Sequence, residues 1–70
     1  MNNIELKVKL MRSNMSVEDL AQRMGINKVT LYRKIKGESQ FDLNEIKEVA
    51  AILNLTQNEI FSIFFTSQLA

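Results

Sequence analysis

The side chains in this sequence that can do chemistry are cations. The stretch LAQRMGINKVTLYRKIKGE, residues 20–38, sets Arg33, Lys34 and Lys36 around Tyr32, just past a glycine. Guanidinium and ammonium groups donate to phosphate oxygens and to the edges of guanine. An ordinary solvated helix face carries the same residue types, so the cluster alone leaves both readings open. Other chemistry is poorly served. The 70 residues include no histidine and no cysteine, which removes the usual general base and the usual nitrogen and sulfur metal ligands. Gly25 and Gly37 are the only glycines, and no glycine-rich phosphate loop can be drawn from them. An enzyme is not expected, nor are a cofactor, a metal or a small-molecule ligand.

The elements that must position these cations are marked by caps. Ser16 stands three residues ahead of Asp19, Asp42 ahead of Glu45, and Thr56 ahead of Glu59. In each pair the first side chain can accept from an orphan helix N–H while the acid reaches back. Asn27 is a fourth N-cap candidate. The spacing predicts helices over about 17–24, 28–36, 43–53 and 57–64. Their inward residues are Leu20, Ala21 and Met24; Leu31 and Ile35; Leu43, Ile46, Val49, Ala50 and Leu53; and Ile60, Ile63 and Phe64. Gly25 and Gly37 sit where a left-handed C-terminal residue belongs. The first segment is ambiguous. IELKVKL alternates like a strand, yet Leu6 and Leu10 are four apart, and a lone strand would have nothing to pair with. A first helix is expected. The fold class is therefore all-α, a compact bundle of about five short helices. Residues 1–70 read as one domain, with 65–70 as a tail free to be flexible and no second, ligand-sensing domain expected.

Charge is uneven. Residues 1–36 carry eight Lys or Arg against three acids, a net +5; residues 37–70 carry one lysine against five acids, a net −4. A basic front and an acidic back bear on partners, not on fold. The apolar fraction of 46% argues against disorder. No run is long and apolar enough for a membrane, and no signal-peptide pattern opens the chain. The absence of cysteine fits an intracellular protein, and a cytoplasmic location is expected.

Helix, short glycine turn, helix over residues 17–36 has the dimensions of a helix-turn-helix. With Leu20, Ala21, Gly25, Ile26 and Leu31 at their offsets, Met24 before the glycine and Ser16 as cap, the chain resembles the lambda-repressor-like, Cro/XRE family of DNA-binding regulators. EIKEVAAILNLTQNEI resembles that family's closing helices, so the likeness spans about residues 4–62. The run TLYRKI followed by F-x-x-x-E-I is similar to small regulators of Gram-positive prophages. The pattern has physical reasons. Ala21 must be small where two helices cross closely, and Gly25 takes a positive φ without steric cost. One departure stands out: nine residues after Gly25, where the family has an apolar anchor, this chain has Lys34, with Ile35 next to it. Either the third helix is rotated or extended by a fraction of a turn, or Lys34 lays its stem on the core and snorkels.

The resemblance implies double-stranded operator DNA as partner and lays the helix at 28–36 in the major groove. It makes Lys28, Val29, Thr30, Tyr32 and Arg33 the base-edge candidates. Lys28 and Arg33 would read guanine, and Val29 or Thr30 a thymine methyl. Ser16, Val17, Asn27, Lys34, Lys36, Ser39 and Gln40 are the phosphate candidates. Each has a plainer role: Lys28 as a solvated first-turn lysine, Val29 facing the core, Tyr32 covering the helix junction, Lys34 as a positional residue. Arg23 has one too, pairing with Glu18 or Asp19. Phe61, Phe64 and Phe65 exceed what one helix face needs. They are either core closure or a surface for a homodimer or a partner regulator. A regulator of the phage repressor/Cro type is therefore expected. The alternative is a helix-turn-helix-derived protein that binds another regulator.

Overall fold

All five helix starts are fixed by side chains within three residues of them, four of them by the caps that the sequence predicts. The structure, a computed structural model, describes residues 1–65. Its elements are α1 (Asn3–Arg12), α2 (Val17–Met24), α3 (Lys28–Lys36), α4 (Leu43–Leu53) and α5 (Gln57–Ile60), which runs into a π-helical turn, Phe61–Phe65. Reciprocal capping boxes join Ser16 to Asp19, Asp42 to Glu45 and Thr56 to Glu59. The Asn27 side chain accepts from Val29 N at 2.8 Å. Gly25 at φ 72° and Gly37 at φ 90° end α2 and α3. The Ile26 amide reaching Ala21 O at 3.0 Å completes the α2 turn, a Schellman-type closure. Asn54 takes the same left-handed role after α4 at φ 55°.

The ambiguous first segment is a helix. Asn2 caps it, accepting from Glu5 N at 3.0 Å, a signal the sequence reading did not use. Strict alternation on a helix advances 200° per apolar residue, so the run splits between two faces. Leu6 and Leu10 are buried, while Ile4 is 69% exposed and Val8 half-exposed at 37%. α1 is then held against the end of the chain. The Asn2 amide donates to Ile63 O at 2.7 Å, the Ser62 hydroxyl donates to Glu5 Oε1, and Lys9 Nζ meets Glu59 Oε2 at 2.9 Å.

One core joins α1 through α4 and the π-helical turn. Leu6, Leu20, Leu31, Ile35, Val49 and Ile63 are each at most 1% exposed. Ala21 is 2% exposed, as a close crossing of α2 and α3 requires. Two expectations need correction. Leu43 is exposed, because it is the first residue after the Asp42 cap and lies one turn beyond Ile46, the first core residue of α4. The fifth helix is α-helical only to Ile60, and the widened turn carries Ile63 into the core. Phe65 is part of that turn; the rest of the tail, 66–70, lies outside the described residues. Among the described residues no helix is long and apolar enough to cross a membrane.

Candidate nucleic-acid interface

α3 presents one face to the core and the other to solvent. Leu31 and Ile35, four apart, are buried. Opposite them Val29, Tyr32, Arg33 and Lys36 follow the i, i+3, i+4, i+7 spacing of a single helix face, and all four are exposed. Val29 is 51% and Tyr32 44% exposed, so Val29 does not face the core and the Tyr32 ring is partly open to solvent. Lys28 and Thr30 flank this face at the start of the helix and are also exposed. The five base-edge candidates thus share one accessible surface. Leu20, Met24 and Leu31 are buried, with Ile26 packed on them, and they fix the α2–α3 angle behind it.

The cations on this surface differ in how they are held. Arg33 makes no ion pair among the described residues. Lys28 Nζ lies 3.8 Å from Glu18 Oε1 and Lys36 Nζ 3.5 Å from Glu38 Oε2. All four side chains are more than half exposed, so both pairs give way to a phosphate or a base at little cost. Glu18 therefore pairs across the turn with Lys28. Arg23 acts on Asp19 only as a nearby charge.

Lys34 is different. Its Nζ donates to Glu45 Oε1 and to the Gln40 carbonyl, each at 3.0 Å. It lies 5.9 Å from the centroid of the Phe41 ring. Its side chain is 13% exposed and that of Glu45 16%. Glu45 Oε1 also accepts from Asp42 N at 2.9 Å, so one carboxylate oxygen serves both the α4 cap and the lysine. α3 ends at Lys36, as its spacing predicts, with Leu31 and Ile35 buried. Lys34 fills the apolar slot with its stem and satisfies its ammonium within the protein. This geometry argues against the phosphate role expected for Lys34. The sequence held a signal for it, an acid at the third position of the α4 capping box and an aromatic just before the cap.

The remaining phosphate candidates lie at helix ends and in the α3–α4 loop. Asn27 Oδ1 is used by Val29 N, which leaves its amide N–H groups to donate. Lys36, Ser39 and Gln40 are exposed beside Gly37. At the start of α2, the Ser16 amide is taken by Asp19 Oδ2 at 3.0 Å. Val17 N has no acceptor among the described residues. Glu18 and Asp19 in that first turn favour the helix dipole but oppose an incoming anion. Asp19 stays ionised readily, because hydrogen bonds from the Ser16 amide and then its hydroxyl hold its carboxyl below the usual carboxylate range.

The C-terminal aromatics divide. Phe64 packs edge-on against Phe41, with centroids 5.2 Å apart, and is core closure. Phe61 is 64% and Phe65 54% exposed. A family model described as the Cro/C1-type HTH DNA-binding domain matches residues 5–65. No curated protein and no solved structure matches the chain.

Proposed function

The chain belongs to the Cro/C1-type helix-turn-helix DNA-binding domain family, and on that premise we propose a sequence-specific transcriptional regulator of phage repressor/Cro type, occupying operator DNA through α3. The observation that carries the reading is the exposed face of α3 backed by a rigid core. Val29, Tyr32, Arg33 and Lys36 are accessible on one side while Leu31 and Ile35 are buried on the other. A helix held this way can enter the major groove without rearrangement. Arg33 reads guanine in a bidentate manner, Lys28 donates to a neighbouring base edge, and Val29 and Thr30 offer methyls to thymine. Lys36, Ser39, Gln40 and the Asn27 amide fix the register on the phosphates. Bound at an operator, the protein blocks or recruits polymerase.

A single module makes few contacts, burying roughly 600–1,000 Å², so two copies on a two-fold operator are the expected arrangement. The exposure of Phe61 and Phe65 supports an apolar surface for that pairing or for a partner regulator. The same exposure favours the second reading, in which the scaffold binds another regulator instead of DNA.

Selection from a random duplex library with the purified chain separates the two. A palindrome with half-sites about one helical turn apart supports the operator reading. Affinity should then fall steeply with salt, with a slope near −0.9 per phosphate neutralised. No enrichment at low salt refutes the operator reading and leaves the protein-binding one.

A further inference from the structure

α1 carries an apolar stripe on the side opposite its buried face. Ile4, Val8 and Met11 follow i, i+4, i+7 spacing, with Ile4 69% and Met11 73% exposed and Val8 at 37%. None is needed for the core, which takes Leu6 and Leu10 from the opposite side of the helix. Single exposed apolar residues are ordinary, but a contiguous line of them along a helix marks a contact surface. The stripe is framed by Lys7 on one side and Arg12 on the other, both exposed and in no ion pair among the described residues. The other charges of α1 are already used, Glu5 by Ser62 and Asn2, and Lys9 by Glu59. Recesses flank the ridge. Met11, Met15 and Val17 line one, between α1 and the start of α2; Val8 and Ile63 floor the other, rimmed by Arg12 and by Glu5, Lys9 and Glu59, whose charges are taken up by Ser62 and by each other.

We propose that this face docks an acidic amphipathic helix of another protein, lying along α1 with its apolar side chains in the two recesses and its carboxylates on Lys7 and Arg12. A second copy of this chain is the wrong occupant in a two-fold pairing of α1 with α1, because such a pairing brings Lys7 and Arg12 of both copies into one interface. Like charges placed there disfavour association. An anionic membrane is also a poor match. The face has two cations and no aromatic anchor, and α1 is tied to the globule at Asn2, Glu5 and Lys9, so it cannot settle into a bilayer as a free amphipathic helix does. Side recesses suit discrete side chains, as ridges and grooves do in helix packing. The surface does not involve the exposed face of α3, so the proposal stands apart from the DNA reading.

The test uses the full chain and two synthetic helical peptides. Both carry leucine at i, i+4, i+7 and i+11; one is flanked by glutamates and the other by lysines. Binding is followed by fluorescence anisotropy and mapped by amide chemical shifts. The acidic peptide should bind at least tenfold tighter than the basic one and shift α1 resonances. Lys7→Glu/Arg12→Glu should reverse that order, and Ile4→Ser/Met11→Ser should abolish binding with an unchanged circular dichroism spectrum. Equal binding of the two peptides, shifts confined to other helices, or no reversal on charge exchange overturns the proposal. So does self-association of the wild-type chain that disappears in Ile4→Ser/Met11→Ser, since that makes a second copy the occupant.

Discussion

Replacing Lys34 by methionine puts an apolar residue back in the slot that the family fills with one, and the structure predicts that this destabilises the protein. Methionine keeps most of the buried stem but loses the ammonium, which donates to Glu45 Oε1 and Gln40 O at 3.0 Å each and lies over Phe41. Hydrogen bonds to a charged partner contribute about 1.5–3 kcal/mol. An exposed pair contributes about 0–1 kcal/mol, and breaking a fully buried one costs about 3–5 kcal/mol. With side chains 13% and 16% exposed, this pair lies between those limits, and Lys34→Met should cost about 2 kcal/mol. At about 4–8 °C per kcal/mol for a domain of this size, Tm falls by roughly 8–16 °C. Glu45→Gln keeps an acceptor for Asp42 N but removes the charge. The double variant should cost less than the sum of the singles, by about 1 kcal/mol, because no lone charge is left behind. Thermal and urea unfolding followed by circular dichroism measure all four corners of the cycle. A Lys34→Met protein as stable as the wild type, or strict additivity, refutes the account. DNA binding gives an independent check. Lys34→Met should leave the salt slope unchanged, whereas a slope shallower by about 0.9 would place Lys34 on a phosphate.

Arg33→Ala should weaken operator binding by about 1–3 kcal/mol and relax one base position in a repeated library selection; uniform weakening across sequences would make Arg33 a phosphate contact instead. Gly25→Ala should cost about 1–2 kcal/mol by chemical denaturation. A Cβ there meets no atom within 4 Å, so the cost comes from φ +72° alone, and Gly25→Asn should cost less. Stability should hold from neutral pH down to the ordinary carboxylate range and then be lost as the pH falls from there through the lowered values of Glu59 and Asp19. The Glu59 carboxyl is held low first by Lys9 and then by the Thr56 amide, and Asp19 by Ser16. Such groups stabilise the fold while ionised and lose that contribution as they protonate. Lys9→Met should flatten the acid limb in urea titrations taken at successive pH values; an unchanged limb excludes the Lys9–Glu59 pair as its source.

What the sequence determined by itself is local. Three capping boxes and the Asn27 cap each act within three residues, and Gly25 and Gly37 set the backbone where they stand. The limits of α2 and α3 and the start of α4 follow from those residues without reference to the rest of the chain. Which side chains meet across the fold was decided elsewhere. Lys9 and Glu59 are 50 positions apart and Glu5 and Ser62 57, so no short-range pattern joins them. Lys34 shows the difference most clearly. Its position in an apolar slot was visible, but two accounts of it remained open. Only the packing of α4, which brings Glu45, Gln40 and Phe41 to one point, decided where the ammonium goes. The alternation of IELKVKL was likewise ambiguous until α1 packed on the π-helical turn and left Ile4, Val8 and Met11 outside. The same packing divided the aromatics, placing Phe64 on Phe41 and leaving Phe61 and Phe65 exposed. Caps and turns are short-range hydrogen bonds and backbone torsions, which a sequence spells out directly. Burial is a property of the whole assembly, and each residue's share of it is settled only when the helices close on one another.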